Sequence, residues 1–233
     1  VSSKRGTRRS PALTALGLAF VPTAAAATLA AAHTLFTFAS SGSSFSGGFA
    51  VVAVLHAAGL VRGERAYVFA HEFTHAAAAW LHGAKVFSFV IKADSGHVDL
   101  SRMNAFIALA PYWIPLYALL VVGLYRIVSW SVAWPQAQQA FLAAMGAALA
   151  FHFCHTARAL GSAHQTDLDH LGVALSLSLI ALLNALVLLV ALKCLFPRAV
   201  SLSDSARWVA AVTRGFWGAL AGGAADAVRA VTG

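Results

Sequence analysis

Charge is what this sequence has least of. Only 10% of its 233 residues are charged, against about 25% in a soluble domain, too few to clothe a water-facing surface. Acids are scarcer still, eight in all, and Glu72, Asp167 and Asp169 are the ones that best suit a buried role. There are two cysteines, Cys154 and Cys194, each within an apolar segment. That excludes a disulfide framework, and both read as small buried thiols. What is present is apolar: 60% of residues are hydrophobic and the mean hydropathy is +0.76. The fold class expected is an all-α polytopic membrane protein of about five to six transmembrane helices, with no separate soluble domain. The net charge of +8 does not point to nucleic acid. Its basic residues lie near the ends of apolar segments rather than along one face, which is a pattern of membrane topology.

Residues 1–10 carry Lys4, Arg5, Arg8 and Arg9 without an acid, and are expected to stay cytoplasmic. The apolar segment from Pro11 to Phe38 continues well past the small residues Ala24 to Ala27, so it reads as a retained membrane helix rather than a cleaved signal. Ser40 to Gly48 is Ser- and Gly-rich and reads as a loop. Phe49 to Leu60, with His56, is too short to span by itself. After Gly83 the pattern becomes β-prone: Val86–Ile91, a turn at Ala93–Gly96, then alternating His97–Leu100 predict a hairpin. Residues 103–128 form a span interrupted by Pro111 and Pro115, where a kink is expected. A Trp-bearing interfacial loop at 129–136 precedes a span over 137–160 with His152 and His155. A polar break follows from Gly161 to His170, and Leu171 to Phe196 is the last span, with Asn184 in its middle. Residues 11–196 thus form the membrane core. The tail, 197–233, places Trp208, Val212, Phe216 and Leu220 at helical spacing, as in an amphipathic helix lying on a membrane surface. No internal repeat is apparent.

The chain is organised around His71-Glu72-Phe73-Thr74-His75. On a helix, positions four apart share a face, so His71 and His75 can turn a ring nitrogen to one metal ion. Glu72 falls one position round, where its carboxylate can take a proton from a water the metal activates. Two imidazoles and a carboxylate at membrane depth are expensive, and by default functional. The bland alternative, a hydrogen-bonded cluster that ties helices together, does not need this spacing. His56 reads as a packed or pore-facing histidine.

A catalytic zinc has three protein ligands and one open position. By residue type, the third ligand is open among Asp167, Asp169, His164, His152 with His155, and His97. Phe69–His75 followed by Leu81-His82-Gly83-Ala84-Lys85-Val86 resembles the metal-site helix of the site-2 proteases, which are intramembrane zinc metalloproteases. The resemblance extends through Ser95-Gly96-His97-Val98 and Ala108–Tyr112 to Gln165-Thr166-Asp167-Leu168 with Gly172, covering roughly residues 48–195. It implies zinc on His71, His75 and Asp167, with Asp169 in reserve. The Asn-Pro…Leu-Asp-Gly pattern of familiar members is here Gln-Thr-Asp-Leu. No PDZ-like module is seen, so substrate choice is expected to come from the membrane part.

The function this implies is a zinc endopeptidase with Glu72 as general base, cutting a membrane-spanning or membrane-adjacent peptide. The hairpin at 86–100 would hold the substrate extended, and His152, His155 and Asn184 would steady the oxyanion or the fold. The rivals are a metal-ion transporter and a non-catalytic membrane scaffold built on the same polar cluster. Topology is internally strained. Counting 49–83 as one crossing puts the basic tail outside, and counting it as two strands Lys85, Lys92 and Arg102 there.

Overall fold

The computed structural model describes residues 10–37, 43–60, 63–92, 95–131, 135–162 and 165–232. The basic cluster Lys4–Arg9, Arg62, Asp94 of the expected turn and His164 lie outside them. The described residues are overwhelmingly helical, with one small sheet. By packing they fall into two units, one within residues 35–173 and one of residues 10–34 with 174–232.

The first unit contains α2 (Ser43–Ala57), α3 (Glu64–Leu81), the strands β1 (Val86–Ile91) and β2 (Gly96–Leu100), α4 (Ala105–Trp113), α5 (Leu116–Ser131), α6 (Ala137–Ser162) and a 3-10 turn at Thr166–His170. α3 begins with Glu64 in its first turn, where a carboxylate favours the helix dipole. It ends at Gly83, whose φ of +66° only glycine adopts without strain. There Ala84 N–H donates to Ala79 C=O at 2.8 Å and Gly83 N–H to Trp80 C=O at 2.9 Å. β1 and β2 then pair antiparallel, with Val90 opposite His97 and Ile91 opposite Gly96. This is the hairpin its alternation predicts. Asn104 caps α4 by accepting the Ile107 N–H at 2.8 Å. Ala78, Ala79, Ile107 and Ala110 are buried between α3 and α4, with Val86 and Leu100 of the hairpin against them.

Two expectations are corrected in this unit. Ser43–Gly48 is not loop but the first turns of α2, because its glycine serves close packing rather than a turn. A Cβ on Gly48 would lie 2.0 Å from the Ala143 carbonyl oxygen, and one on Gly146 would lie 2.0 Å from that of Phe45. The two backbones therefore touch through reciprocal glycines, as small residues permit between apolar helices. Likewise the Trp130 end of the expected 129–136 loop continues α5 to Ser131. Gly146→Leu is expected to force α2 from α6 and destabilise the protein by at least about 1–3 kcal/mol. Gly123→Leu, where an added Cβ meets nothing within 4 Å, should cost little. Unfolding midpoints of the two variants in detergent check this.

The second unit contains most of α1 (Pro11–Thr37), α7 (Val173–Leu195) and α8 (Leu202–Thr232). Gly17 of α1 sits directly on the backbone of Ala174 and Leu175, and its carbonyl accepts from Ser178 Oγ at 3.0 Å. Asn184 donates to the carbonyl of Ile180 in its own helix. Cys194 is exposed, and Cys154 of the first unit is only half-buried. The buried stripe of α7 runs through Ala185, Leu188 and Leu192, and Cys194 falls off it. α8 is the long helix the tail's spacing predicts, and Trp208, Val212, Phe216 and Leu220 are exposed along it.

Among the described residues, α1, α6 and α7 are long and apolar enough to cross a membrane. A fourth candidate is α4 with α5, bent by 67° at Ile114–Pro115. Leu18, Leu29, Leu124 and Ile127 are exposed on such helices, as lipid-facing surfaces are. The five to six crossings expected from the sequence exceed these candidates. α2, at 15 residues, is only about 22 Å long against a hydrocarbon core of about 30 Å. α3 is interrupted by Glu64, Arg65 and its own polar motif.

Candidate metal centre

His71 and His75 lie one helical turn apart on the same face of α3, with ring centroids 4.9 Å apart. The 3-10 turn packs against α4 and delivers Asp167 to them. Asp167 Oδ2 is 3.5 Å from His71 Nε2 and 3.4 Å from His75 Nε2. Zinc bonds of about 2.0–2.2 Å in tetrahedral geometry put donor atoms about 3.3 Å apart. Both Asp167 contacts match that spacing and the three donor atoms lie within 4.8 Å of one another, so the group could hold a metal ion. The bonding of His75 supports the same assignment. Its Nδ1 lies 2.8 Å from the Ile107 carbonyl oxygen, which can only accept, so Nδ1 carries the proton. Nε2 is then the ring nitrogen turned to Asp167, and it would be the atom that binds a metal, as in metal-ligating histidines whose other nitrogen is held by a carbonyl. Nδ1 of His71 has no such partner among the described residues. Burial opposes ionisation of Asp167, but hydrogen bonds and charge from His71 and His75 outweigh it. Its carboxyl is held well below the usual carboxylate range and is available as an anionic ligand.

Glu72 is buried, with its stem against the hairpin. Its Cγ would be 2.7 Å from a Cβ on Gly96, the first residue of β2. Glycine at this strand position is what lets the hairpin lie against the Glu72 stem. Together with His71, Val68, Ser95 and Gly96, Glu72 lines a cavity of about 380 Å³ whose other wall includes Tyr67, His155, Arg158 and Gln165. Arg158 pairs with Glu64 at 3.5 Å beside it.

The other residues singled out by sequence fall as follows. Asp169 is exposed in the 3-10 turn and His97 is exposed on β2. Neither belongs to the His71, His75, Asp167 group. His152 and His155 are buried. The His155 ring stacks on Tyr67 at 5.4 Å and meets His56 edge-on at 4.7 Å, so His56 is packed rather than metal-directed. Sequence reasoning gave no role to Tyr112. It is wholly buried, and its hydroxyl donates to Asp167 Oδ2 at 2.9 Å. The signal was a tyrosine inside an apolar span, because a buried phenol needs a polar partner. Comparison with protein-family models, curated proteins and solved structures finds no match to this chain.

Proposed function

We propose that this protein is a multi-pass integral membrane zinc endopeptidase that hydrolyses peptide bonds of membrane-spanning or membrane-adjacent substrates. The observation that carries the reading is a convergence: two imidazoles one turn apart and a carboxylate from far along the chain bring their donor atoms within 4.8 Å of one another, beside a buried glutamate that faces a cavity. His71, His75 and Asp167 would hold the ion. When bound, zinc supplies a Lewis acid that polarises a scissile carbonyl and acidifies a water. Glu72 accepts the proton of the attacking water and returns it to the leaving amine. The Gly96 contact holds its stem against the hairpin. Ser95 and the first residue of β2, Gly96, border the same cavity, so an extended peptide added to the hairpin edge would present its backbone to Glu72. An unwound segment exposes carbonyls that a helical substrate hides.

The partners are therefore a membrane peptide and the lipid bilayer, with no nucleic acid. The basic cluster at Lys4, Arg5, Arg8 and Arg9 favours a cytoplasmic N-terminus. α8 rests its apolar stripe on the membrane surface. Stripping metal from the purified protein with a chelator is expected to abolish cleavage of a co-reconstituted membrane-spanning peptide, and zinc alone should restore it. Undiminished cleavage by protein shown to be metal-free would sink the proposal.

A further inference from the structure

Both ends of the ligand set are held by one short helix. α4 offers the Ile107 carbonyl to His75 Nδ1 at 2.8 Å and the Tyr112 hydroxyl to Asp167 Oδ2 at 2.9 Å. The Tyr112 ring also lies edge-on to His71, with centroids 5.0 Å apart. The hydroxyl has a single proton and two nearby acceptors, Asp167 Oδ2 and Gln165 Oε1, the latter at 3.2 Å. The shorter contact is to a charged oxygen, which takes the proton in preference to a neutral amide. Gln165 is itself tied down, since its Nε2 donates to the Ala159 carbonyl at 3.2 Å. Asp167 stands in a 3-10 turn of five residues, Thr166–His170, with no long helix of its own to hold its rotamer. Its aim at the two imidazoles therefore depends on what grips it from α4.

Resting on the metal reading above, we propose that Tyr112 is a positioning residue for the metal centre: its hydroxyl fixes the orientation of the Asp167 carboxylate so that one oxygen faces both imidazoles. Hydrogen-bond partners one step beyond the ligands typically set metal affinity by about 10–100-fold. Tyr112 is in contact range of every member of the set except His75, which the same helix holds through Ile107.

The test measures zinc affinity of the full chain in detergent, by competition with a chromophoric chelator, and the visible spectrum with Co²⁺ as probe. Tyr112→Phe removes one oxygen and keeps the ring. It is expected to weaken zinc binding by about 10–100-fold and to shift the Co²⁺ ligand-field bands. In an Asp167→Ala background the same substitution should have no further effect on the residual two-histidine affinity, because its route of action is gone. Unchanged affinity in Tyr112→Phe, or an equal loss with and without Asp167, would overturn the positioning role while leaving the metal site standing. A wild-type protein that binds no zinc would overturn the metal reading itself, and this inference with it.

Discussion

Glu72→Gln is expected to lower peptide cleavage by about 10²–10⁴-fold, the usual worth of a positioned general base, while the protein keeps its metal. The substitution is nearly isosteric. The glutamine would keep the apolar stem that packs against Gly96, so fold and hairpin contact should survive. Its amide cannot accept the proton of the attacking water, so only the chemical step suffers. Reconstituting wild type and variant with a membrane-spanning peptide, and measuring initial rates beside zinc content, checks both halves. Equal rates would rule out the endopeptidase. A variant with altered metal flux and no cleavage in either form would favour the transporter instead.

Asp167→Ala should reduce zinc affinity more than the roughly 100-fold reached by changes one step beyond the ligands, because a ligand itself is lost. Asp169→Ala should not, since Asp169 is exposed and outside the ligand group. The Asp167→Ala protein is also expected to fold. The change leaves the Ile107 carbonyl on His75 Nδ1 and Gln165 Oε1 on the Tyr112 hydroxyl, so the side chains around the lost carboxylate keep their anchors. Elemental analysis after dialysis against buffered zinc, together with a melting curve of each variant, would separate lost binding from lost structure. Retention of stoichiometric, tightly held zinc by Asp167→Ala would exclude this carboxylate as a ligand.

The local half of the centre was legible in the letters. The spacing of His71 and His75 follows from helix geometry, and the apolar flanks of Ala66–Trp80 announce the helix. The hairpin was equally plain, because Val86–Ile91 and His97–Leu100 have strand patterning on either side of a turn. Asp167 was different. Residue types left it among several carboxylates and histidines, and only resemblance singled it out, because a meeting between α3 and a distant 3-10 turn has no local signature. Tyr112 and the Ile107 carbonyl were invisible for a related reason. One reads as ordinary span content between two prolines, and the other is main chain that no side-chain pattern encodes. Ser43–Gly48 misled in the opposite sense. Serine and glycine signal a turn in water, whereas among apolar helices glycine also permits the backbone contact that Gly48 and Gly146 make.

The 67° bend at Ile114–Pro115 bears on how the proposed metal centre is set within the membrane. Taken as one crossing, α4 and α5 cannot continue a single ladder through it. Pro115 has no amide hydrogen to give, Leu116 N–H turns back only two residues to Ile114 C=O at 3.0 Å, and the ladder resumes with Leu119 N–H to Pro115 C=O at 3.1 Å. Interrupted main chain at hydrocarbon depth endures only where protein surrounds it or moisture reaches it. The break begins two residues after Tyr112, so the Asp167 side of the centre adjoins the stretch of chain least compatible with oil. Pro115 is buried, so it is protein that shields this break, and a substrate reaching the proposed metal centre would meet main chain already held open beside it.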